Sequence, residues 1–236
     1  MPTLAAIDIG SNALRLSLAA FESAKKFTIV GNFREAVRLG QDVFAKGQIS
    51  DETIDQALQA LARFKEEMDR HGVTLSRAVA TSALREALNK DMFVDRVNQT
   101  CGIDIAVIGA EEEARLIHLA VAEVVNLKNR TAILVDIGGG SIEVTLAVDG
   151  SIVSTESYRL GAVRLLQLLE GKKRGERMFH QLVREYVDST EQRLKREIGS
   201  KQVQLCIGTG GNIEALGGLR KELLGKDRDS TLESQE

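Results

Sequence analysis

Two stretches of this chain repeat one pattern. LAAIDIGSNALRLSLA begins at Leu4 and AILVDIGGGSIEVTLA begins at Ala132. Each is an apolar run, then Asp-Ile-Gly, a tight turn of small residues, and a run in which apolar and polar residues alternate with period two, the pattern of a half-buried strand. An internal repeat of this kind constrains the fold more than any other feature, because it implies two similar lobes, each opened by a β-hairpin. With 236 residues, the chain is long enough for two lobes that each bury a core. We place the lobes at 1–125 and 126–236.

Hydrophobic periodicity fills in the rest of the expectation. In the first lobe, strands at Leu4–Ile9, Leu14–Leu18 and Lys26–Gly31 lead into an irregular segment holding Gly40 and Gly47. Ser50 then caps a helix with Ile54, Leu58, Leu61 and Met68 on one face, ended by Gly72. A strand at Arg77–Ala80, a helical stretch from Ser82 broken near Asn89 and resuming to Thr100, a strand at Ile103–Ile108 and a helix at Glu111–Val125 complete it. The second lobe repeats this through a strand at Val203–Ile207 and a helix from Asn212, then ends in a polar tail. It lacks one βα unit relative to the first. The fold class expected is α/β, two lobes of mixed sheet flanked by helices, with the second lobe truncated.

Composition leaves the chemistry to local features. The net charge of −3 supplies no general attraction for polyanions, so a phosphate site must be built from backbone N–H groups, a few arginines and metal, and DNA is not an expected partner. Cys101 and Cys206 have no zinc or redox spacing and read as buried thiols of a reducing, cytoplasmic compartment. The apolar opening is interrupted by Asp8, Asn12 and Arg15, so it is neither leader nor membrane span. His71, His118 and His180 show no metal spacing, and Lys172-Lys173-Arg174 reads as a solvated loop that can contact a long polyanion.

Two glycine-rich turns, each preceded by an aspartate at a strand end, suit a phosphate between facing lobes. Glycine lets an anion approach the backbone N–H groups of Gly10, Ser11 and Asn12, and of Gly138, Gly139, Gly140 and Ser141. Asp8 and Asp136 are then placed to hold Mg2+; the alternative is two ordinary hairpins whose aspartates bond their own turns. Gly208-Thr209-Gly210-Gly211 adds a third strand–glycine–helix turn, either an anion site at a helix N-terminus or a structural turn. Among Glu111, Glu112 and Glu113, only Glu113 shares the helical face of Leu116, Ile117, Ala120 and Val124, all within about 60° of it. A carboxylate on an apolar face is either a general base in a cleft or half of a buried ion pair with Arg115 or an arginine of the second lobe. Arg85, one turn into a helix, serves phosphate or pairs with Glu86 or Asp91. Glu143, on the strand after the second turn, is a supporting carboxylate of the site or faces solvent.

Taken in order, AAIDIGSNALRL, VATSALREALN, GAEEEARLI, LVDIGGGSIEV and GTGGNIEAL resemble the exopolyphosphatase and guanosine pentaphosphate phosphatase (Ppx/GppA) family of the actin, sugar-kinase and Hsp70 superfamily. The resemblance runs from Ala5 to about Gly217 and includes VRLG at Val37–Gly40. It implies actin-like (ribonuclease H-like) lobes with five-stranded sheets, and phosphate loops at the two Asp-bearing hairpins. It also implies phosphate contacts from Arg38, Arg85 and the glycines Gly208, Gly210 and Gly211, a catalytic Glu113, and a Glu143 near metal and water. The activity implied is Mg2+-assisted release of terminal phosphate from polyphosphate or guanosine pentaphosphate, in a protein that can be a homodimer. A kinase of the same superfamily, or a non-catalytic sensor of nucleotide or polyphosphate, are the competing readings.

Overall fold

The computed structural model describes residues 1–23, 26–170, 176–199 and 202–224. Lys172-Lys173-Arg174 and the polar tail lie outside the described residues. The chain divides into two compact units, Met1–Ala110 and Glu111–Glu236.

In the first unit, β1 (Thr3–Ile9), β2 (Leu14–Ser23) and β3 (Lys26–Glu35) form an antiparallel meander. Next come α1 (Leu39–Lys46), α2 (Asp51–Arg70), β4 (Val73–Ala80), α3 (Ser82–Glu86), α4 (Lys90–Cys101) and β5 (Ile105–Val107). Both β4 and β5 run parallel to β1, giving the mixed sheet β3-β2-β1-β4-β5. The period-two pattern of the sequence is met by burial: Leu14, Leu16 and Leu18 are fully buried while Arg15 is exposed. They pack with Ile54, Ala57, Leu61, Phe64 and Met68 of α2, whose helical spacing gathers them on one face.

One expected loop is a helix. The segment with Gly40 and Gly47 forms α1, because Gly40 sits inside the helix and Gly47 only marks its end. Gly40 lies in the first turn, where a Cβ would stand 3.0 Å from both Cβ and the carbonyl oxygen of Ser11. Gly47 ends the helix in the left-handed region at φ 78°, donating to Val43.

In the second unit, α5 (Ala110–Val124) precedes β6 (Thr131–Ile137), β7 (Ile142–Val148), β8 (Ser151–Tyr158), α6 (Ala162–Glu170), α7 (Glu176–Ile198), β9 (Leu205–Thr209) and α8 (Gly211–Leu224). The sheet order is β8-β7-β6-β9, again an antiparallel meander with a parallel strand beside its first member. Among the described residues this sheet has four strands, one fewer than the first. The division differs from the sequence reading by α5, which was counted with the first lobe. Its Ile117 and Val121, with Val125 just past its end, pack on Leu127, Ala132, Leu134, Ala147, Leu205 and Ile207 of the second unit, so burial assigns the helix there. No helix among the described residues is long and apolar enough to cross a membrane.

Candidate active site

The repeated hairpins close in the same way. Gly10 donates to Ala13 at 3.1 Å and Gly138 donates to Ser141 at 3.0 Å, so each Asp-Ile-Gly leads into an equivalent tight turn. In the second unit the start of α6 clasps that turn from one side. The N–H of Ala162 donates to Gly138, those of Val163 and Arg164 donate to Gly139, and the Arg164 Nε donates to the carbonyl of Gly140 at 2.8 Å. A trans peptide carries its N–H opposite its C=O. With all three carbonyls turned to α6, the N–H groups of Gly139, Gly140 and Ser141 point to the other side, which is the arrangement that receives an anion. In the first unit the carbonyls of Ser11 and Asn12 accept from Gly40 and Arg38, which turns the N–H groups of Asn12 and Ala13 away in the same sense.

This clasp depends on a glycine outside the sequence-predicted set. A Cβ on Gly161 would lie 2.2 Å from backbone atoms of Gly139 and Gly140, so the chain before α6 passes directly against the turn. The signal was present in the sequence, since Arg159-Leu160-Gly161 repeats Arg38-Leu39-Gly40. Arg38 itself is exposed and sits at the N-cap of α1 with φ 59° and ψ 42°, a left-handed conformation uncommon for a side-chain-bearing residue.

Three carboxylates converge in the second unit. Glu113 from α5, Asp136 from the end of β6 and Glu143 from the start of β7 each bring an oxygen within 4.8 Å of the others. Their meeting follows from local structure. Asp136 and Glu143 are directly opposed in the β6–β7 register. Glu113 heads the i, i+4 series Glu113, Ile117, Val121, Val125, whose apolar members lie on the same sheet. The buried stripe of α5 is turned from the expected one. Ala114, His118 and Val121 are buried while Leu116 and Val124 are 36% and 64% exposed, so Glu113 stands at the edge of the stripe. Arg115, the partner considered for Glu113, gives two hydrogen bonds of 2.7 and 2.8 Å to Glu112 and holds that carboxyl below its ordinary range.

Two ionised carboxylates whose oxygens lie within 4.8 Å repel by about 3 kcal/mol or more at an effective dielectric of about 20, and Glu143 is only 2% exposed. An all-oxygen donor set of this kind fits a hard divalent cation such as Mg2+. Asp8, the other expected metal ligand, lies near the end of β1 in the first unit. It opposes Arg15 in the β1–β2 register of the first sheet.

The remaining predicted residues are placed as follows. Arg85 donates from Nη1 to the Ile108 carbonyl at 2.8 Å, which fixes its head at the end of β5. Ser11 shares a buried 2.9 Å hydrogen bond with Ser82, joining the first turn to the start of α3. The Gly208–Gly211 turn is bolted to the end of β6: Thr209 Oγ1 donates to Asp136 Oδ1 at 2.5 Å, and Asn212 Nδ2 donates to the Ile137 carbonyl at 3.0 Å. Gly210, at φ 88°, runs so close to β6 that a Cβ would lie 2.8 Å from the Ile137 oxygen. Ser157 Oγ donates to Glu143 Oε1 at 2.9 Å. Thr209 and Ser157 escaped the sequence reading because their partners are set by strand register, and Asn212 because its partner is set by how α8 starts beside β6.

Comparison with known proteins adds independent findings. A family model described as the Ppx/GppA phosphatase family matches residues 19–234. An exopolyphosphatase from Cytophaga hutchinsonii is similar in structure, with TM-score 0.85 and 27% identity over 96% of this chain and 72% of its own. An Aquifex aeolicus member of the Ppx/GppA family matches with TM-score 0.75 and 29% identity, over 96% and 72% of the two chains. The ethanolamine utilization protein EutJ from Carboxydothermus hydrogenoformans matches at TM-score 0.52 and 17% identity over 96% of this chain and 83% of its own, a likeness of fold alone. The fold is actin-like, as expected.

Proposed function

The chain belongs to the Ppx/GppA phosphatase family, and on that premise we propose that it releases the terminal phosphate of inorganic polyphosphate by attack of water, with guanosine pentaphosphate as the alternative substrate. The observation that carries this reading is the meeting of Glu113, Asp136 and Glu143 from three elements, two residues along the chain from an anion-receiving turn. The N–H groups of Gly139, Gly140 and Ser141 receive oxygens of the terminal phosphoryl group. Asp136 and Glu143 are the residues that would hold a divalent cation, which when bound draws charge from those oxygens. Glu113 orients the water and takes its proton as the new P–O bond forms and the bridging bond to the next phosphate breaks. In the first unit, Gly10, Ser11, Asn12, Arg38 and Arg85 keep their proposed role as phosphate contacts. Asp8, in the first unit, keeps its proposed role as a metal ligand. A cytoplasmic address belongs to the same proposal.

The test is phosphate release with Mg2+ from polyphosphate, guanosine pentaphosphate and ATP, each without an acceptor. Release from the first two and its loss in Glu113→Gln is the expected result. Binding of polyphosphate without any release would favour the sensor reading, and release only when a hydroxyl acceptor is supplied would favour a kinase.

A further inference from the structure

The second sheet carries a row of four polar residues side by side. Register opposes Ser157 to Glu143, Glu143 to Asp136, and Asp136 to Thr209, so in the sheet order β8-β7-β6-β9 they cross all four strands on one face. The two outer hydroxyls both donate inward, Ser157 to Glu143 Oε1 at 2.9 Å and Thr209 to Asp136 Oδ1 at 2.5 Å. The equivalent row of the first sheet, across β3-β2-β1-β4, reads Arg34, Arg15, Asp8, Val79. After duplication, one row therefore carries an aspartate beside arginine, and the other carries two carboxylates bracketed by hydroxyls.

Resting on the reading of this cluster as a cation site, we propose that Ser157 and Thr209 are positioning residues that aim the Glu143 and Asp136 carboxylates at a divalent metal ion. The terminal torsions of Asp and Glu are broad, so a carboxylate left to itself spreads over many orientations. A hydroxyl that holds one oxygen fixes that torsion and presents the second oxygen in a single direction. Glu143 Oε2 is buried, and Asp136 Oδ1 is additionally hemmed in by Gly210, where a Cβ would come within 3.1 Å of it. Partners of this kind set metal affinity without touching the metal. The first unit shows what the same strand position holds where the neighbouring aspartate faces an arginine: Val79 stands at the place of Thr209.

Thr209→Val therefore removes the hydroxyl while installing the side chain that β4 already tolerates there. The measurement is Mn2+ binding, read from the electron paramagnetic resonance signal of the free ion, with melting by circular dichroism as the check on fold. Thr209→Val and Ser157→Ala are each expected to weaken Mn2+ by about 10–100-fold. Thr209→Ser and Ser157→Thr, which keep the hydroxyl, should restore binding, a rescue that a purely structural role would not produce. Asp136→Asn separates the levels. If Asp136→Asn abolishes Mn2+ binding but Thr209→Val and Ser157→Ala bind like the parent, the positioning proposal is overturned and the metal reading stands. Parental binding by Asp136→Asn overturns both. Should Thr209→Val fail to fold, Ser157→Ala decides by the same comparison.

Discussion

At the scale of single residues, Glu113 and Gly161 make the sharpest predictions. Glu113 touches the reacting water in the proposed step. Its replacement by Gln keeps the shape while removing the base, so kcat should fall by roughly 10²–10⁴-fold with KM little changed. Steady-state phosphate release checks this. Gly161 acts by having no side chain. A Cβ there would lie 2.2 Å from the backbone of the second turn, so Gly161→Ala must push α6 away from Gly139 and Gly140. We expect a loss of about 1–3 kcal/mol in denaturant unfolding, the usual range for overpacking, together with a raised KM for polyphosphate. A parental KM in a folded Gly161→Ala protein would show that the clasp does not shape the turn.

Helices and strands carry predictions of their own. Ser50 caps α2 by accepting from the N–H of Thr53, and Asp42 of α1 accepts from the Ser50 and Thr53 hydroxyls at 2.6 Å each. Ser50→Ala should cost about 1 kcal/mol, measured by chemical unfolding. Burial opposes ionisation of Asp42, but the hydrogen bonds from Ser50 and Thr53 and the charge of Lys46 outweigh it and hold its carboxyl below the ordinary 3.8. Because the folded value is the lower one, the stabilisation is present above that ordinary value and is lost as pH falls below it through the folded value. Asp42→Asn should flatten that acid limb in melts taken below about pH 4. At the same scale, α5 shows how an element places chemistry: Ile117, Val121 and Val125 seat the helix on the second sheet and Glu113, one turn earlier, is carried to the carboxylate end of the strands.

For the whole molecule, the two units descend from one pattern and have come to hold different charges at equivalent strand positions. Metal should therefore act on the second. Mg2+ at about 100 times its dissociation constant would stabilise the binding unit by about 2.7 kcal/mol, and Asp136→Asn should erase that shift in thermal melting while the parental melt in chelator stays unchanged. The duplication, the hairpins and the mixed sheets were legible in the sequence, since each rests on local periodicity and on glycine where the backbone must turn, whereas the α5 stripe was read through Leu116 and Val124, which are exposed. Helix α1 was missed because glycine fitted to a neighbouring backbone reads like glycine that breaks a helix. The allocation of α5 was missed because an apolar stripe does not name the surface that covers it. By itself, then, the chain's order of residues determined the repeated lobes and the types of group the chemistry requires. Only tertiary structure decided which groups meet within the second unit, setting Asp136 with Glu143 and Glu113, and adding Ser157, Thr209 and Gly161. Strand register and close backbone approach depend on residues far apart in sequence, which no local pattern encodes.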